Sequence, residues 1–190
     1  LGGTVMNLYK LFKIQAKLDE KIVKEKGLEG HDLLDKKILA LQVELGELAN
    51  CWRGFKFWSG RQEPVTNDLR VADYKESGEA ILETYNPLLE EYVDCLHFIL
   101  SIGLDLKLGG PYVIGTYKGP NIIRQFNFVY QDVSKLDVAI NDDLREGEIF
   151  EQYHELVRGF LGLGEMLGFT REEIEQSYYE KNRINHERQE

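Results

Sequence analysis

The sequence predicts an all-α fold on three grounds. Apolar residues recur at helical spacing through most of its length, a capping box opens its last long segment, and its glycine-rich stretch matches no nucleotide-binding α/β turn. The first helix starts at Leu8, with Leu11, Leu18 and Ile22 on one face and Phe12 and Ile14 widening it. Gln15 lies on that stripe, and a polar amide among apolar neighbours needs a partner, either backbone or ligand. The segment from Asp32 to Trp58 carries Ile38, Leu41, Leu45, Leu48 and Trp52 in register, with Gly54 unsettling its later end. Residues Ser59 to Pro87 are polar and bounded by Pro64 and Pro87, so they are expected to be inserted or peripheral, with a short helix near Lys75 to Glu83. Leu88 to Leu104 is apolar around much of its circumference, which marks a central, buried helix. Gly109 to Pro120 has neither P-loop nor Rossmann spacing and is expected to be a hairpin or linker. Ile122, Phe126, Val129, Val133 and Leu136 mark the next helix. Phe150, Tyr153, Val157, Phe160 and Leu167 mark another, where Gly159, Gly162 and Gly164 imply close packing or a kink. Thr170 and Glu173 form the capping box of the last.

A chain of 190 residues with 43% hydrophobic content suits one domain, taken as 6–190 with 59–87 as an insertion; residues 1–5 precede Met6 and are left out of the fold. The 33 acidic residues against 23 Lys and Arg leave a charge of -10, which offers no basic surface for tracking nucleic acid. Cys51 and Cys95 lack disulfide or CxxC spacing and read as reduced core thiols. With neither a membrane-length apolar run nor a secretory leader pattern, a cytoplasmic protein without nucleic-acid or membrane partners is expected.

The chemistry lies in two acidic pairs. Glu44 and Glu47 are three apart on one helix, as are Glu91 and Asp94 on another, so each pair projects from positions about 60 degrees apart. Both pairs flank apolar stripes, where gathered carboxylates would repel without a cation. An all-oxygen ligand set favours magnesium, with manganese as substitute, over zinc, and magnesium commonly meets phosphate oxygens. Tyr178, Lys181, Asn185 and Arg188 form one stripe of hydrogen-bonding groups on the last helix, whose Lys and Arg are suited to binding phosphate oxygens. Trp52, Phe55, Lys56 and Trp58 form an aromatic group in which Trp58 is placed to cover a base, and His97 falls three residues beyond Asp94.

ALQVELGELANCWRGFKFW, LLEEYVDCLHFILSIG and YYEKNRINHERQ, together with IQAKLD, resemble the dimeric dUTP pyrophosphatase family, within the all-α nucleoside triphosphate pyrophosphatases that include the MazG-like enzymes. The resemblance spans nearly the whole chain. The acidic motifs carry the superfamily, while FKFW and KNRINHERQ carry the branch. It implies a metal-binding helical bundle completed in a homodimer, and magnesium-dependent hydrolysis of dUTP or dUDP to dUMP. By position, Glu44, Glu47, Glu91 and Asp94 would hold metal, with Glu47 the first choice to activate water. Lys181, Asn185 and Arg188 would hold phosphates; Gln15, Asp19, Lys56, Trp58 and His97 would serve the nucleoside. Two departures stand out. The 43 residues between Glu47 and Glu91 exceed the usual gap, which implies the insertion, and the family motif continues into Gly-Tyr where this sequence ends at Glu190, so a phosphate-closing tail is expected outside it. The other readings are a pyrophosphatase for another nucleotide, such as dCTP or a modified triphosphate, and a metal-stabilised interaction protein without catalysis.

Overall fold

In the computed structural model, residues 6–110 and 113–189 are described. In chain order the elements are β1 (Met6–Asn7), α1 (Tyr9–Glu25), α2 (Leu34–Trp52), β2 (Asp68–Tyr74), β3 (Ala80–Tyr85), α3 (Pro87–Asp105), β4 (Val113–Ile114), α4 (Ile122–Asn141), α5 (Glu146–Met166) and α6 (Arg171–Glu187). The protein is mostly helical, as expected. Helix α3 is the axis of the fold and packs against α1, α2, α5 and α6. Its start is well specified: Asn86 Oδ1 accepts the Leu89 N–H at 3.1 Å, and Pro87 at the first helical position loses no needed donor. Most of its circumference is buried, from Tyr92, Val93, Cys95 and Leu96 to Ile99, Leu100 and Ile102. Against it lies the α2 stripe of Leu41, Leu45 and Leu48, all fully buried. Cys95 is buried and Cys51 half-buried, and both thiols are free.

Helix α2 is shorter than its sequence segment. Arg53 takes a left-handed backbone (φ 64°) and its N–H closes on the Ala49 carbonyl, so the helix stops at Trp52 and residues 53–58 form turns. Helix α5 runs unbroken through its glycines, which serve close packing instead of a kink. A Cβ at Gly162 would strike the Tyr117 carbonyl, and one at Gly164 would enter the Tyr92 ring, itself stacked on Phe160 at 4.3 Å. The capping box of α6 forms as the sequence predicts: Thr170 Oγ1 accepts from Glu173 N–H at 3.2 Å, and Glu173 Oε2 accepts from Thr170 N–H at 2.8 Å.

The helix expected near Lys75 to Glu83 is absent. Residues 68–85 form an antiparallel hairpin instead, with Arg70 opposite Glu83 and Val71 opposite Leu82. Val71, Tyr74, Ile81 and Thr84 favour the pleated chain, and Gly78 (φ 82°), whose N–H bonds the Lys75 carbonyl, provides the positive φ that the turn requires. The stretch after Gly109 likewise forms no local hairpin among the described residues. Its β4 pairs with β1, placing Met6 beside Ile114; Pro111 lies outside the described residues. Among the described residues, no helix is long and apolar enough to cross a membrane.

Candidate active site

The packing of α2 on α3 brings three carboxylates together. Glu44, Glu91 and Asp94 each offer an oxygen, all within 4.8 Å of one another, and all three residues are half-buried. Glu47 is exposed and stands outside this set, although its charge acts on Glu44 and Glu91. Burial, then repulsion from Asp94 and Glu47, pushes Glu44 and Glu91 up to about 7. Burial also raises Asp94, with Lys181 pulling the other way. Such a set is short of positive charge. A hard divalent cation fits it, since the donors are all oxygen and their mutual repulsion is what the ion would relieve.

The last helix supplies one cation directly. Lys181 Nζ lies 2.6 Å from Asp94 Oδ2 and 2.8 Å from Glu90 Oε1, with only 11% of its side chain exposed. Burial alone would lower its pKa, but the two carboxylates outweigh that and the net shift is upward. The lysine is thus engaged with the acidic cluster. Glu90, which sequence reasoning passed over, is its second anchor. Asn185, one turn on, lines a neighbouring pocket, while Arg188 caps the helix end, exposed but with its charge felt at Asp94.

That pocket, of about 360 Å³, lies between α1, α2, α3 and α6 and is lined by Gln15, Asp19, Lys37, His97, Ser101 and Asn185, among others, with Asp94 at its junction with the carboxylates. Beneath it runs a polar network. Gln15 Nε2 donates to Asp19 Oδ1 at 2.7 Å, and Gln15 Oε1 accepts from Tyr178 O–H at 2.7 Å and lies 2.7 Å from His97 Nδ1. Asp19 Oδ2 also accepts from Ser101 O–H at 2.6 Å. Burial raises the Asp19 pKa while these hydrogen bonds pull it down. The network fixes a tautomer. The Gln15 amide must turn its NH₂ to Asp19, so its oxygen faces His97, and an oxygen can only accept. His97 therefore carries its proton on Nδ1, leaving Nε2 as an acceptor. Burial holds the imidazole neutral, with its pKa lowered to about 3. Its Nε2 is buried without a hydrogen-bond partner among the described residues, and the ring stacks on Tyr178 at 4.2 Å. Ser101 joins this site through a contact that no local motif announces, and Tyr178, named on the hydrogen-bonding stripe of α6, donates to Gln15.

Lys56 and Trp58 are not gathered with the rest. Because α2 stops at Trp52, both lie in the turns beyond it and outside the pocket lining. Trp58 is 65% exposed and meets Phe55 and Phe57 edge-on at 5.8 and 4.9 Å, and Lys56 Nζ lies 5.7 Å from the Phe55 ring centre. Trp58 therefore does not cover the pocket within one chain.

A family model described as dUTPase matches residues 7–72 and 80–190, leaving out residues 1–6 and the segment 73–79 around the β2–β3 turn. No curated protein matches the chain.

Proposed function

Since the chain belongs to the dUTPase family and is a dUTP diphosphatase, we propose that it hydrolyses dUTP, and also dUDP, to dUMP with magnesium, as a cytoplasmic homodimer of the all-α nucleoside triphosphate pyrophosphatase type. The observation that carries this reading is the juxtaposition of the Glu44, Glu91 and Asp94 oxygens with a polar-floored pocket of about 360 Å³ that shares Asp94. Magnesium, or manganese in its place, would be held by Glu44, Glu91 and Asp94 with Glu47 joining from the open side, and supplies charge neutralisation and a more acidic bound water. Glu47, exposed beside the set, orients the attacking water and takes its proton. Attack at the α-phosphorus of dUTP breaks its bond to the bridging oxygen, and pyrophosphate leaves with its charge met by Lys181 and Arg188. Lys181 reaches phosphate by giving up Asp94. Asn185 holds the chain of phosphates between that cluster and the pocket.

Base choice rests on the tautomer of His97. Once the groups that bury it part, an Nε2 acceptor pairs with the N3–H of uracil, whereas cytosine presents a lone pair there and leaves both groups unsatisfied. Gln15 and Asp19 act by holding that imidazole. Discrimination against cytosine on such grounds reaches about 10,000-fold, while excluding the thymine methyl contributes only about 10 to 200-fold. The second copy finds support in the exposed apolar residues of α2 and α4, where Leu39, Val43, Ile123 and Val138 are 62, 52, 48 and 53% exposed. Partner residues there would be placed to bring Trp58, or its counterpart, over a base.

The test is a product-release assay with dUTP, dUDP, dTTP, dCTP, dATP, dGTP and UTP under excess magnesium, with catalytic efficiency measured for each. dUTP is expected to lead. Comparable efficiencies for dUTP and dCTP would overturn the uracil reading.

A further inference from the structure

Four charged side chains of alternating sign run from the hairpin to the carboxylate cluster. Arg70 Nη1 meets Glu90 Oε2 at 2.7 Å, Glu90 Oε1 meets Lys181 Nζ at 2.8 Å, and Lys181 Nζ meets Asp94 Oδ2 at 2.6 Å. Their side chains are 30, 24, 11 and 19% exposed, so solvent screens them only partly. The far end is fixed in place. Arg70 also pairs with Glu83, its cross-strand neighbour, at 2.7 Å, and its guanidinium lies 4.8 Å from the Tyr85 ring centre. Because β3 leads straight into α3 through the Asn86 cap, the hairpin holds Arg70 at a set distance from the first turns of α3, where Glu90 lies.

We propose that Arg70 is a positioning residue for the reaction: by occupying one oxygen of Glu90 it leaves Lys181 free to release Asp94 and meet a phosphate. The physical reason is competition for one ammonium group. Glu90 with Arg70 bound is already compensated, so its hold on Lys181 is weak. Glu90 without Arg70 is a half-buried carboxylate whose nearest remaining cation is Lys181, and it would keep that lysine from the substrate. This makes the β2–β3 hairpin part of the phosphate site without touching substrate. The inference rests on the proposed phosphate role of Lys181.

The test is calorimetric affinity for α,β-imido-dUTP with magnesium, and for deoxyuridine, in Arg70→Met, Glu90→Gln, the double variant and Lys181→Met. Arg70→Met is expected to weaken imido-dUTP roughly tenfold, within the coupling range of neighbouring charges, and leave deoxyuridine within about twofold. Glu90→Gln removes the competitor, so it should stay within about threefold of wild type, and the double variant should match it. A tether that merely keeps the hairpin folded would behave otherwise. Equal losses from Arg70→Met in both backgrounds, or weakened deoxyuridine, would overturn the positioning role. Should Lys181→Met weaken imido-dUTP while Arg70→Met does not, this inference alone fails. Should Lys181→Met have no effect, the phosphate role of Lys181 fails and the inference falls with it.

Discussion

Gln15→Met tests the network beneath the pocket with little change of volume, so the loss is polar. Gln15 is 3% exposed and makes contacts to Asp19, Tyr178 and His97, each 2.7 Å long. The thioether removes the donor to Asp19 Oδ1 and the acceptor for the other two. Asp19 keeps Ser101, and Lys37 stands 3.7 Å away, so its loss is partial, whereas His97 Nδ1 is left without this partner beside an Nε2 that already lacks one. Two orphaned buried groups at about 1 to 3 kcal/mol each, reduced where the pocket admits water, give a destabilisation of about 2 to 4 kcal/mol. For a chain of this size that corresponds to a fall in Tm of about 4 to 15 °C by circular dichroism. The second readout is selectivity. An imidazole no longer tied at Nδ1 is free to present either a donor or an acceptor, so the dUTP over dCTP ratio in kcat/KM should drop by at least about tenfold. A Tm within about 2 °C of wild type together with an unchanged ratio would refute both the network energetics and the tautomer assignment.

Glu91→Gln should cut turnover by more than about 100-fold while leaving the helical spectrum intact, because it removes one charge from the metal set; near-normal turnover across a magnesium titration would exclude that role. In the metal-free protein, Glu44 and Glu91 sit at about 7 against an ordinary 4.5, so the folded state holds their protons more tightly than the unfolded state. Their stabilising contribution is complete below about pH 4.5 and is lost as pH rises through 7, and magnesium, which needs the ionised form, should restore progressively more stability over that window. Urea unfolding at pH 5 and 7.5, with and without magnesium, checks this, and a metal-free wild type that gains stability relative to Glu91→Gln on going from pH 5 to 7.5 would contradict it. Arg188→Ala should weaken dUTP more than deoxyuridine in equilibrium binding, and equal losses would mark structural damage.

The helices are legible because burial on one side imposes a three-and-four spacing that survives without knowledge of partners: Leu41, Leu45 and Leu48 announce α2, and the near-complete apolar girdle of Val93, Leu96, Ile99 and Leu100 announces the centrality of α3. The hairpin is not legible for the opposite reason. Its strands are mostly exposed, with Leu69 and Leu82 60 and 55% accessible, so no buried face enforces alternation, and charged residues on both strands permit a helical reading. Pairing of β1 with β4 depends on residues far apart in the chain, which local pattern does not encode. The end of α2 turns on Arg53 adopting a left-handed backbone, an uncommon choice for a non-glycine residue and one the neighbouring Gly54 only partly signals.

The candidate site divides along the same line. Glu44, Glu91 and Asp94 are drawn together because α2 and α3 bury facing stripes, and any carboxylate at the margin of both stripes must approach its counterpart. Glu47, one turn on from Glu44, is rotated outward by about 60 degrees, enough to leave it exposed while its partner is half-buried; an i,i+3 pair therefore nominates two residues without ranking them. The ranking comes from neighbours the motif omits. Glu90 precedes Glu91 in the sequence yet points to Lys181 and Arg70, so adjacent carboxylates on α3 have different partners, one in the carboxylate triad with Glu44 and Asp94 and one in the ion-pair chain. Lys181 bridges Glu90 and Asp94, and on the proposed reading the sharing of its single charge between them sets whether the acidic cluster is open to a cation or closed by a lysine. A contest of this kind depends on distances of 2.6, 2.7 and 2.8 Å set by three separate elements, α3, α6 and the hairpin, and only their assembly defines it.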